Sequence, residues 1–145
     1  MERKEVAVGY KHNGKNCCQA VLLAFKDVVN MSDEELLKLG AGFGVGMGCM
    51  ESTCGALIGA NIILGILSDG KPSLMSRSKV MLQEFKRRSK ATICKDLKGI
   101  ETGIVLCSCD DCVRHAVEVL EEEIERWKFT FFLLPKMYEK ISKIS

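Results

Sequence analysis

Eight cysteines carry most of the chemical potential of this chain: Cys17, Cys18, Cys49, Cys54, Cys94, Cys107, Cys109 and Cys112. A thiol reacts as its thiolate, the form that attacks disulfides and ligates soft metals. The positions to look for are therefore those where a sulfur meets positive potential. Cys54 follows Ser52 and Thr53, either of which can cap a helix, and this spacing puts Cys54 in a first helical turn. Unpaired N–H groups and the helix dipole favour an anion there, so its pKa should fall. Cys17 follows two cap candidates, Asn13 and Asn16, and falls in or near a first turn as well. Cys94 comes just after a basic run, with Lys90 and Lys95 close in sequence. Cys109-Asp110-Asp111-Cys112 has C-x-x-C spacing at a helix start, but it lacks the βαβ setting of a thioredoxin pair, and its two aspartates oppose thiolate formation. Cys17 and Cys18 are vicinal and point different ways on a helix, so at most one joins a given site. Cys49 sits in a loop. His115, one turn beyond Cys112, either shares a ligand face or is simply solvated.

Two chemistries use such a set. In thiol–disulfide exchange one thiolate, here Cys54, attacks a disulfide or an oxidised partner, and a second cysteine, Cys17 or Cys94, resolves it. Alternatively, four thiolates from separate segments hold an iron–sulfur cluster or a zinc ion. A third reading is a non-catalytic binding module with passive cysteines. No Ser–His–Asp set and no G-x-x-x-x-G-K-[ST] motif supports hydrolase or nucleotide chemistry.

The elements that must position these thiols are helical. Residues 40–65 read GAGFGVGMGCMESTCGALIGANIILG, and no charge occurs from Ser52 to Ser68. A helix apolar all round is a buried one, so residues 53–67 form the central helix, with Ile62 and Ile63 inside it. Gly55 and Gly59, flanked by Ala56 and Ala60, let another backbone come close. Residues 1–12 read as extended or frayed. A helix from Asn13 or Asn16 to about Val29 follows, then a short one opened by the Ser32–Glu35 capping box. A basic amphipathic helix starts at Ser73 or Ser76 and runs to about Arg88, burying Leu74, Met81, Leu82 and Phe85. After a loop over 99–109, a last helix runs to about Arg126, with Val113, Ala116, Val117, Leu120 and Ile124 inside and Glu121, Glu122 and Glu123 in water. The expected fold is an all-α, single-domain bundle of five or six helices. Residues 1–126 form the cysteine-containing domain. Residues 127–145 are an aromatic and basic extension that packs on it or on a partner, with 127–138 as a homodimer contact. The apolar run 127–134 is too short to span a membrane.

Charge excludes one class of partner. Lysine and arginine number 21 against 19 acidic residues, a net charge of +2 that gives no polyanion affinity, so no nucleic acid is expected. Eight basic residues between Arg77 and Lys98 read as a solvated face balanced by the later acidic segment. Residues 1–16 lack the apolar core of a signal peptide. A cytoplasmic chain rich in cysteine points to metal or redox work rather than structural disulfides.

Four blocks recur in a recognisable order: Asn16-Cys17-Cys18-Gln19-Ala20-Val21; Gly44-Val45-Gly46-Met47-Gly48 leading to Cys54-Gly55-Ala56-Leu57-Ile58-Gly59-Ala60; Thr92-Ile93-Cys94-Lys95-Asp96-Leu97; and Cys109 followed by Val113-Arg114-His115-Ala116. Over roughly residues 10–124 the chain resembles the C_GCAxxG_C_C family, small proteins described as redox-active. The resemblance implies a functional set of Cys17, Cys54, Cys94 and Cys109, catalytic in a thiol–disulfide oxidoreductase and ligands if a metal or cluster is bound. Cys18, Cys49, Cys107 and Cys112 are extras of this chain, and Cys107 and Cys112 compete with Cys109 for the fourth place. The implied partner is a redox protein or a small thiol or disulfide. No C-x-x-C-H haem motif occurs.

Overall fold

Local capping dictates where the helices begin. In the computed structural model, which describes residues 1–132, Asn16 accepts a hydrogen bond from the Gln19 N–H at 2.8 Å and the Gln19 side chain accepts from the Asn16 N–H at 3.1 Å. This reciprocal box opens α2 (Cys17–Ala24), and Ser32 with Glu35 opens α3 (Asp33–Gly40) in the same way. Seven α-helices stand among the described residues, with no strand, and the all-α expectation holds. The others are α1 (Arg3–His12), α4 (Gly55–Ser68), α5 (Leu74–Ser89), α6 (Cys94–Lys98) and α7 (Cys109–Phe132).

Helix α4 lies at the centre, packed against α2, α5 and α7. Ala56, Ala60 and Ile63 are fully buried. The two glycines face α2 at backbone distance. A Cβ at Gly59 would lie 2.9 Å from the Cys18 carbonyl oxygen and 3.2 Å from Val21 Cβ, and one at Gly55 would lie 2.6 Å from the Phe43 carbonyl oxygen. Gly59→Ala should therefore cost about 1–3 kcal/mol by overpacking. Gly9→Ala is the control, because a Cβ there meets nothing within 4 Å and alanine is the better helix former by up to about 1 kcal/mol. Thermal unfolding of both variants checks the contrast, and equal midpoints would refute the close approach.

Several expectations are corrected. Residues 3–12 are helical rather than extended, because Ala7 and Val8 bury against the bundle and α1 packs on α2 and α7. Helix α2 stops at Ala24 instead of Val29. Ile62 is only half-buried and lines a groove, so α4 is not covered all round. Leu82 is 42 % exposed, on the outer side of α5. Helix α7 continues to Phe132. Glu123 does not face water but is buried against Arg77 at 3.4 Å, while Arg88 reaches Glu118 and Glu122. The basic face of α5 is thus neutralised by α7, as the charge balance suggested. Trp127 lies over Lys71 and Arg77 at 5.3 and 5.8 Å, on the bundle's own surface. Residues 129–138 of the proposed contact lie outside the residues whose side chains are described. Among the described residues no helix is long and apolar enough to cross a membrane.

Candidate functional site

Four helices begin with a cysteine, and all four beginnings meet. Cys17 is the first residue of α2, Cys94 of α6 and Cys109 of α7, and Cys54 is the N-cap of α4. These four, together with Cys107 and Cys112, line one cavity of about 30 Å³, closed by Val45, Gly46, Leu97 and Lys98. That is room for little more than one water molecule.

Backbone contacts draw the segments together. Thr53 and Ile93 form an isolated antiparallel bridge, in which the Cys54 N–H donates to the Thr92 carbonyl at 2.7 Å and the Cys94 N–H to the Ser52 carbonyl at 3.0 Å. The glycine-rich loop forms a lid. Val45, Gly46, Met47 and Gly48 all take left-handed φ values, between 52° and 81°. Such a run costs about 1–2 kcal/mol at each non-glycine position. At Gly46 the lid touches the site, where a Cβ would fall 2.7 Å from Cys94 Cβ.

The cap of α4 differs from the one expected. Ser52 and Thr53 do not cap it: the Ser52 hydroxyl donates to the Thr53 carbonyl, and Cys54 itself stands at the cap rather than in the first turn. Cys54 makes no formal capping bond, yet the N–H groups of Ala56 and Leu57 face its sulfur. Helix α7 is capped by Ser108, whose hydroxyl accepts from the Asp111 N–H at 3.1 Å.

Electrostatics sort four of the six thiols into two pairs. Cys109 is drawn down to about 5, first by a hydrogen bond from the Cys17 thiol and then by Lys98 and Lys11, against partial burial. Cys17 moves up correspondingly, because it holds the proton of the pair and is buried. Cys54 is lowered, first by the neighbouring Cys112 thiol, and Cys112 is raised by Cys54 and by burial. Like charges in one small cavity cannot all ionise, so in each pair the raised partner holds its proton the more tightly. Cys94 is raised, burial outweighing the cation beside it. That cation is Lys98, not the Lys90 or Lys95 suggested by sequence proximity; Lys95 is taken by Glu101 at 3.3 Å. The aspartates of the C-x-x-C segment do not oppose the Cys109 thiolate, because Asp110 is held by Lys11 at 2.9 Å and His12 at 2.8 Å, and Asp111 by Arg114 at 2.9 Å. Cys109 and Cys112 share a helix face, but each pairs with a cysteine from another helix.

The structure thus brings together Cys17, Cys54, Cys94 and Cys109, the whole expected set, and adds Cys112, Cys107 and Lys98. Lys98 and Lys11 gave no signal in the sequence, since each is remote along the chain from the thiolate it serves. Cys18 is fully buried and pushed up to about 12 by desolvation, so it is a packing residue. Cys49 is exposed on the loop, away from the cavity. His115 is not merely solvated: its Nδ1 lies 2.9 Å from the Ser89 hydroxyl and 3.8 Å from the Cys107 sulfur. A single zinc ion needs three or four donors converging on one point. Among the described residues no group of three or more His, Cys, Asp or Glu side chains does so. A larger groove of about 540 Å³ runs between α4 and α5, lined by Leu57, Ile58, Ile62, Met81 and Leu82, but it contains no titratable or nucleophilic thiol.

Comparison with known proteins places the chain in one family. No curated protein and no solved structure matches the chain significantly. The family model described as "Putative redox-active protein (C_GCAxxG_C_C)" matches residues 15–123, a span that holds every cysteine of the cavity. The chain belongs to the C_GCAxxG_C_C family.

Proposed function

We propose that the protein is a thiol–disulfide oxidoreductase in which Cys109 attacks and Cys17 resolves. The observation that carries this reading is the meeting of four cysteine-bearing helix starts at one cavity, with Lys98 beside the half-exposed Cys109. Helix starts and a lysine both favour a thiolate. The pairing revises the expectation that Cys54 attacks: Cys54 is only 6 % exposed, too deep to meet an incoming disulfide first.

In the reaction, the Cys109 thiolate attacks one sulfur of a disulfide R–S–S–R. A Cys109–S–S–R bond forms and one RS⁻ leaves. Cys17 then loses its proton to the departing thiolate and attacks the Cys109 sulfur, expelling the second RS⁻. The substrate is reduced by two electrons and the protein gains the Cys17–Cys109 disulfide. Exposed Ile104, Val105 and Leu106 lead directly into Cys107, which favours a polypeptide partner over a small charged disulfide.

Residue-resolved alkylation against pH tests the thiolate. The Cys109 rate should rise through half-maximum near pH 5 and then stay flat, whereas an ordinary thiol keeps gaining rate to about pH 9. The sign follows from protonation: below pH 5 the sulfur takes up its proton and the rate falls. The curve's shape is the better readout, because absolute rates change little. At pH 6.5 a pKa of 5 gives roughly 300-fold more thiolate than one of 9, but the weaker base is the poorer nucleophile, which leaves about fivefold. Lys98→Met should move the midpoint up by about one unit. A Cys109 profile that rises only above pH 8 would overturn the assignment. Exchange should also survive prior treatment with a chelator, and its loss would favour the zinc or iron–sulfur alternative instead.

A further inference from the structure

We infer that Cys54 and Cys112 form a second, buried redox pair that takes over the disulfide made at Cys17 and Cys109, so that one chain stores two disulfides. The inference rests on the exchange reading above and extends it inward.

The geometry is that of two dithiols sharing one small cavity at different depths. Cys109 and Cys17 are partly exposed, whereas Cys54 and Cys112 are 6 % and 2 % exposed. All four line the same cavity. Beside the cavity α4 and α2 approach closely, since a Cβ on Gly55, next to Cys54, would lie 3.4 Å from the nitrogen of Cys18, next to Cys17. Cys112 sits one turn beyond Cys109 on α7, its thiol 3.9 Å from the Cys107 carbonyl, and it lines the cavity with Cys54. The outer reading leaves this inner pair unused, although both of its cysteines line the small cavity that Cys17 and Cys109 share.

The transfer balances without any added reactant. The Cys54 thiolate attacks the Cys17 sulfur of the outer disulfide, forming Cys54–Cys17 and expelling the Cys109 thiolate. Cys109 is the better leaving group, since its thiolate is held by Lys98 and Lys11. Cys112 then attacks the Cys54 sulfur and expels Cys17, and the proton lost by Cys112 passes to Cys17. At the end Cys54–Cys112 is oxidised, while Cys109 is again a thiolate and Cys17 again a thiol. The direction follows from the same stabilisation, because a dithiol whose reduced form is favoured makes the more oxidising disulfide.

The test uses the fully reduced chain, titrated anaerobically with oxidised glutathione, acid-quenched, alkylated and mapped by mass spectrometry. One equivalent should leave the disulfide at Cys54–Cys112. Two equivalents should add Cys17–Cys109, with four of the eight thiols lost. In Cys112→Ala the disulfide should accumulate at Cys17–Cys109 with two thiols lost. Cys54→Ser should behave alike, so the test does not depend on one variant folding. In Cys109→Ser the inner disulfide should form at least tenfold more slowly. A wild-type disulfide that stays at Cys17–Cys109, or an inner disulfide that forms at the wild-type rate in Cys109→Ser, overturns the relay. If neither inner variant forms Cys17–Cys109, the outer exchange reading itself has failed, and the two failures are thereby told apart.

Discussion

Cys109→Ser should slow reduction of a polypeptide disulfide by the protein by on the order of a thousandfold. A serine hydroxyl is not ionised at neutral pH and has no base beside it, so the attacking group is lost outright. The other cavity thiols are poor substitutes: Cys54 and Cys94 are each 6 % exposed, and Cys17 is pushed up by burial once its thiolate partner is gone. Cys17→Ser should leave the first step intact and trap a mixed disulfide on Cys109, visible as a mass increase that a reductant removes. Cys49→Ser, on the exposed loop outside the cavity, is the control and should react as the wild type does. Retention of a tenth or more of the activity in Cys109→Ser would disprove the assignment, and a mixed disulfide mapped to Cys54 would return the attack to the inner pair.

The largest effect on stability should come from a charge. Glu123→Ala leaves Arg77 with its side chain only 10 % exposed and its carboxylate partner removed. Removing one member of such a buried pair costs about 3–5 kcal/mol, because the surviving charge keeps its desolvation penalty. Replacing both, as Arg77→Met with Glu123→Leu, should recover most of the loss, since the pair as a whole contributes little against apolar residues of similar size. Urea unfolding of the single and double variants measures the difference. A Glu123→Ala change below 0.5 kcal/mol, within the range of ordinary surface substitutions, would mean that water reaches the pair.

The two predictions mark where local and distant information part. Helix starts are written locally. Asn16 with Gln19 and Ser32 with Glu35 make their caps within four residues, and the charge-free run around Ile63 can only be a buried helix. The placement of Cys17 and Cys109 at helix starts was therefore close to legible, and so was the all-α fold, whereas the short α6 that Cys94 opens was not expected and Cys54 stands at the cap rather than in the first turn. Amphipathic period also identified the α7 core face, but it put Glu123 with Glu121 and Glu122 in water. A run of three consecutive glutamates spans most of a helical turn, and only the packing of α5 decides which of them is buried against its arginine.

Which sulfur meets which was beyond the sequence. Cys109 pairs with Cys17 from the other end of the chain, and its lysines come from α6 and α1. Cys94 differs, since the cation at its sulfur is Lys98, one turn further along the same short helix, a local spacing that nearness to Lys90 and Lys95 obscured. The number and type of reactive groups, and the helix starts at Cys17 and Cys109, are properties of short stretches, so the sequence alone determined them. The pairing of thiols, and hence which one ionises, depends on separations of a few ångströms between distant segments and on burial in one small cavity. Coulombic and desolvation terms at that scale exist only once the chain has folded, and the tertiary structure alone decided them.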